Sequence, residues 1–167
     1  MTIVDKNLFI EHYGGIYEDS PWVAELAWDR LCEPGEVQSI GNVLAQCVDD
    51  ADDETKLALI RAHPDLAGRA AIRGELTQES TGEQASAGID KCSPEEFERF
   101  QEYNDQYHRK FGFPFVMAVR DSNRQQILAT FAERLQNDAD IEFARAIAEI
   151  HKIARLRLAA LEQESDG

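Results

Sequence analysis

Between Ile141 and Leu161, the residues Phe143, Ile147, Ile150, Ala154, Arg157 and Leu161 recur at intervals of 4, 3, 4, 3 and 4. That spacing tracks the turn of an α-helix, so it draws one stripe along a long helix and commits the chain to burying it. Arg157 is the one charge on the stripe. A guanidinium facing a core needs a partner, either a structural carboxylate or an anionic ligand held by its planar fork, and structural ion pairs are the commoner case.

Helical signals recur along the rest of the chain. Ser20-Pro21 reads as an N-cap followed by proline at the first helical position. Val37 to Val48 carries Ile40, Val43, Leu44 and Cys47 at helical intervals. Asp52-Asp53-Glu54 places negative charge at the start of a helix running through Leu57 and Ile60. Ser93-Pro94-Glu95-Glu96 opens another, with Phe97, Phe100, Tyr103 or Asn104, and Tyr107 on one side and Gly112 at its end. Ile127, Phe131 and Leu135 mark one more. Phe111 to Val119 is the exception, apolar and partly β-branched but broken by Pro114, with no second strand to pair with it. The expected fold is therefore all-α: a single-domain compact helical bundle over residues 1–167, with an extended apolar connection before the last two helices.

Composition removes whole classes of function. A formal net charge of -15 opposes general nucleic-acid binding, which needs clustered Lys and Arg, and leaves any anionic ligand to a few local cations. No apolar run approaches the ~20 residues of a membrane span. Cys32, Cys47 and Cys92 are odd in number and widely spaced, which argues against a disulfide framework or a zinc site and favours a reducing, cytoplasmic setting. His12, His108 and His151 form no metal motif, and there is no phosphate-binding loop, dinucleotide fingerprint or nucleophile elbow.

The remaining histidine carries the chemical interest. His63 precedes Pro64, which disfavours helix at His63 and forces the chain out of the preceding helix. A histidine there is either a favourable helix-end cation or a group tuned near neutral pH for proton transfer. Twenty residues on, Ser80-x-x-Glu83 matches a capping box, the structural reading favoured for that pair in isolation. Gln84 adds little by itself, and the balance shifts toward chemistry only if His63 and Glu83 converge.

Taken in order, His63-Pro64-Asp65-Leu66-Ala67-Gly68, then Leu76-Thr77-x-Glu79-Ser80-x-x-Glu83-Gln84-x-x-Ala87-Gly88, then Tyr107 to Phe115, then Glu149 to Leu158 resemble the 2-oxo-4-hydroxy-4-carboxy-5-ureidoimidazoline (OHCU) decarboxylase family. The similarity runs from Ser20-Pro21-Trp22-Val23 to the last helix. It departs in detail at Ile89, where Leu is usual, and at Asp121, where Gly is common. The resemblance implies a homodimeric, cofactor-free carboxy-lyase of urate catabolism that converts a small anionic substrate, OHCU, to S-allantoin. By motif, His63 would be the catalytic acid/base and Glu83 both catalytic and substrate-binding. Pro64, Ser80, Gln84, the stretch Phe115, Val116, Met117, Ala118 and Val119, and the cation Arg157 would complete the substrate site. The competing readings are a non-enzymatic acidic helical adaptor and a hydrolase of a related ureido compound.

Overall fold

The computed structural model describes residues 5–35, 38–68 and 75–166, and they form eight α-helices with no strand among them. The chain divides into two compact units, one built from the residues up to Ala62 together with those from His151 onward, the other from His63–Ile150. The family-like motifs around His63, Glu83 and Phe115 lie in the second unit, and Arg157 lies in the first.

The first unit contains α1 (Lys6–Tyr13), α2 (Trp22–Leu31), α3 (Ile40–Asp49) and α4 (Asp53–Arg61), with α1 packed on α2 and α2 on α3. Its starts follow the charges and hydroxyls in the sequence: Asp5, Ser39 and Asp52 each accept a backbone N–H at a helix N-terminus. Hydrogen bonding from Thr55, by its side chain first and then by its backbone amide, holds the Asp52 carboxyl below its ordinary range. Ser20 differs from expectation. Pro21 takes the cap position of α2 without a side-chain cap, and the Ser20 hydroxyl instead donates to the Glu18 carbonyl at 2.8 Å. Of the expected third helix, Val37 lies outside the described residues and the helix begins at Ile40. Phe9 meets Trp28 and Tyr13 at ring separations of 5.3 and 4.7 Å, while Val23, Ala27, Val43, Leu44, Val48 and Ile60 are buried. A Cβ on Gly41 would come within 3.1 Å of the Leu158 side chain, so a larger residue on α3 would require that leucine to shift by a few tenths of an ångström.

The second unit contains α5 (Gln78–Ser86), a 3₁₀ turn (Ile89–Lys91), α6 (Pro94–Phe111), α7 (Arg124–Arg134) and the first half of α8 (Ala139–Asp166), whose second half belongs to the first unit. The Ser93 and Glu96 side chains cap α6 reciprocally, its last turn carries His108, Arg109 and Lys110 against the helix dipole, and Gly112 ends it at a φ of 76°. Tyr107 is the centre of the core. Phe111, Phe113, Phe115 and Phe131 all lie within 5.8 Å of its ring. The long helix appears as the stripe requires, with Ile147, Ile150, Ala154 and Arg157 buried.

Candidate active site

The chain leaves α4 at Ala62, and His63, 7% exposed, begins the loop His63–Gly68. The loop turns tightly: Ala67 occupies the left-handed region at a φ of 53°, and a Cβ on Gly68 would fall 2.8 Å from the Asp65 Cβ. Such a loop offers backbone groups that no helix satisfies, so side chains must supply their partners.

They come from α5 and α6. Gln84 accepts from the Ala67 amide at 3.1 Å and donates to the Asp65 carbonyl at 3.2 Å, leaving at most one amide hydrogen for a ligand. Asn104 donates to the Leu66 carbonyl at 3.0 Å, and Gln101 donates to the Ala67 carbonyl. His108 Nε2 meets the Asp65 carboxylate at 2.8 Å. The two sequence motifs are thus joined through Gln84, the neighbour of Glu83.

Ser80 and Glu83 do not form a capping box. Thr77 is the N-cap of α5, accepting from the Ser80 amide at 3.2 Å, and Ser80 and Glu83 lie inside the helix. Thr77 has the extended backbone that a cap requires, and it reaches the orphan donors first. With capping done elsewhere, Ser80, Glu83 and Gln84 stand at i, i+3 and i+4 and share one face of α5. Ser80 and Gln84 are buried and Glu83 is half-buried. A buried serine and glutamine in so short and polar a helix are not explained by apolar packing.

Phe115 to Val119 is extended and unpaired with any strand, and two charged side chains replace the missing ladder. Arg134 donates to the Val116 carbonyl at 2.7 Å, and Glu149 accepts from the Ala118 amide at 3.2 Å. Phe115 stacks on Phe131 with ring centroids 3.9 Å apart, and the Arg134 guanidinium carbon lies 4.4 Å from the Phe115 ring centroid. Arg134 also donates through Nε to Glu142 at 2.8 Å, and Tyr107 and Asn137 donate to the same carboxylate at 2.6 and 2.9 Å. Burial, with Glu142 alongside, raises the Tyr107 hydroxyl well above the ordinary phenol range. Nothing in the sequence marked Arg134, because a basic residue in the last turn of a helix is ordinary.

In the first unit, Arg157 donates to the Glu18 carboxylate at 2.6 Å and to the Gly15 carbonyl at 3.2 Å. Of the two partners the stripe allowed, a carboxylate within the chain is present. His151, which belongs to no metal motif in the sequence, bridges the Tyr17 hydroxyl at 2.8 Å and Asp49 at 2.9 Å. A carboxylate only accepts, so Nε2 donates to Asp49, and in the neutral ring Nδ1 accepts from Tyr17. Among the described residues no cluster of three or more His, Cys, Asp or Glu is placed to hold a metal ion.

The OHCU decarboxylase family model matches residues 3–159. The 2-oxo-4-hydroxy-4-carboxy-5-ureidoimidazoline decarboxylase of Halalkalicoccus jeotgali is 42% identical over 164 residues, covering 98% of this chain and 90% of its own. The chain belongs to the OHCU decarboxylase family. The Xenopus laevis enzyme of the same name is 38% identical across 92% of this chain and 87% of its own length. Among solved structures, an (S)-allantoin synthase superposes with a TM-score of 0.75 at 28% identity; the match covers 94% of this chain and 50% of that one.

Proposed function

We propose that this chain decarboxylates OHCU to S-allantoin in urate catabolism, with His63 moving the protons. One observation supports the reading above the others. His63 is buried at a helix exit, in a loop hydrogen-bonded to the helix whose single face carries Ser80, Glu83 and Gln84. Membership of the family supplies the substrate. Since one family model spans both units, the chain is read as one family domain.

The chemistry asks little beyond placement. Loss of carbon dioxide breaks the bond between ring carbon and carboxyl, and the electron pair passes through the neighbouring carbon to the imine nitrogen, which is protonated. The hydroxyl on the first carbon then becomes a carbonyl as its proton leaves, and the neighbouring carbon gains a proton on one face. A positioned imidazole suits both transfers. Glu83 would bind the substrate hydroxyl and orient it, and Ser80 would hold the ureido group. Pro64 would pack against the substrate. The segment Phe115 to Val119 would line the ring edge, with the Val116 carbonyl and Ala118 amide already tied to Arg134 and Glu149. By family motif, Arg157 would hold the substrate carboxylate.

The proposed setting is cytoplasmic and the proposed assembly a homodimer, on the strength of three cysteines without a paired pattern and of the family resemblance respectively. No described helix is long and apolar enough to cross a membrane.

Freshly prepared OHCU, followed by carbon dioxide release together with circular dichroism of the product, tests the proposal. Wild-type protein should accelerate both signals, and His63→Ala should lower the rate by about 10²–10⁴-fold with the far-ultraviolet spectrum unchanged. Near-normal turnover by His63→Ala would remove the acid/base role. Hydrolysis of a ureido bond without carbon dioxide would favour a hydrolase.

A further inference from the structure

On α6, Gln101, Asn104 and His108 stand at intervals of 3 and 4, a polar stripe beside the aromatic one formed by Phe100, Tyr103 and Tyr107. With Gln84 it meets the His63 loop in an ordered way. Three successive carbonyls each accept from a different carboxamide: Asp65 from Gln84, Leu66 from Asn104 and Ala67 from Gln101. The Ala67 amide closes the set by donating to Gln84.

From this geometry we infer that Gln101 and Asn104, together with Gln84, are positioning residues for His63. They form a cradle of neutral donors that fixes the backbone on which the imidazole is carried. The inference rests on the reading of His63 as the acid/base. Three features argue that the cradle serves more than general stability. It holds Ala67 in a left-handed conformation that a non-glycine residue adopts only when its surroundings impose it. Asn104 is buried although its Oδ1 has no hydrogen-bond partner among the described residues, an unfavourable placement for a residue selected only to stabilise. All three donors are also uncharged. Lys or Arg could cap a carbonyl equally well, but each would place a permanent positive charge on the loop that carries an imidazole that must take up a proton.

Fixing a reacting group this way matters because a displacement of about 1 Å can cost about 10²-fold in rate. Gln101 and Asn104 touch the loop and are assigned no contact with substrate, so their loss should alter kcat rather than KM.

The test uses Gln101→Met and Asn104→Leu, which keep approximate volume and remove the donor, beside His63→Ala. Rates are taken per mole of folded enzyme, well below each variant's Tm. The expected result for each cradle variant is a fall in kcat of about 10–100-fold with KM changed less than about threefold. Lower enantiomeric purity of the allantoin and a displaced pH–rate profile should accompany it. Wild-type kcat and optical purity in both variants, with His63→Ala inactive, would overturn the cradle and leave the acid/base reading intact. An active His63→Ala would instead overturn that reading, and the cradle's role with it. Should Asn104→Leu fail to fold, Gln101→Met at a half-buried position decides the matter by the same criteria.

Discussion

Arg134 and Arg157 are both buried guanidinium groups paired with a buried carboxylate, each inside its own unit, yet they are built differently. The side chains of Arg134 and Glu142 are 3% and 0% exposed, and those of Arg157 and Glu18 are 6% and 2%. Glu142 gathers three donors, from Arg134, Tyr107 and Asn137, while Arg134 reaches on to the Val116 carbonyl and lies over Phe115. Arg157 instead ties down a short turn, through the Glu18 side chain and the Gly15 carbonyl. One pair organises a core and an extended segment; the other fixes a loop. The difference teaches that a buried charge announces a pairing requirement but not its purpose.

The comparison can be broken first at Glu142. Glu142→Leu strands Arg134, Tyr107 and Asn137 at once, and should cost about 3–5 kcal/mol of stability in urea melts. A loss below about 1 kcal/mol would mean the network is not the centre of its unit. Next, Arg157→Leu alone should destabilise by an amount toward the lower end of the same range, because Glu18 is left buried without its guanidinium. The double replacement Arg157→Leu/Glu18→Leu should recover most of that stability. If it also recovers turnover, Arg157 is a structural residue and has no role in holding the substrate carboxylate.

The smallest effect is alkaline. Burial raises the hydroxyl of Tyr17 as it does that of Tyr107, so both folded-state values exceed the unfolded one. Their contribution is therefore complete below pH about 10 and lost progressively as pH rises above it. Urea midpoints at pH 8 and pH 11 should differ, and the difference should shrink in Tyr17→Phe and Tyr107→Phe. An unchanged midpoint at pH 11 would show that neither hydroxyl is shielded.

Much of this was legible in the letters, and what was not has local causes. The capping box at Ser93 and the stop at Gly112 were readable because each depends on residues within a turn of one another. The extended segment was readable because Pro114 and the absence of a partner leave few alternatives. Ser80 and Glu83 misled for the same local reason: their spacing suits a cap, and only the competing hydroxyl of Thr77, three residues earlier, shows that the helix has already begun. Arg134 could not be singled out, since its significance lies in Glu142, across a turn and in the next helix. Asn104 was in view only as an alternative to Tyr103 on the apolar side, although the Gln101, Asn104 and His108 spacing was there to be seen. The same holds for Asn123 and Gln126, a reciprocal cap on α7 that sequence spacing alone would have supported.

The segment from Phe113 to Val119 is rich in the aromatic and β-branched residues from which intermolecular β-stacks are made. Held by Arg134 and Glu149 and interrupted by Pro114, it presents no regular edge to a second copy of the chain. Weakening the Arg134–Glu142 pair would thus do more than lower a melting temperature: it would loosen the tie on an aromatic and β-branched stretch that is otherwise kept from pairing with other chains.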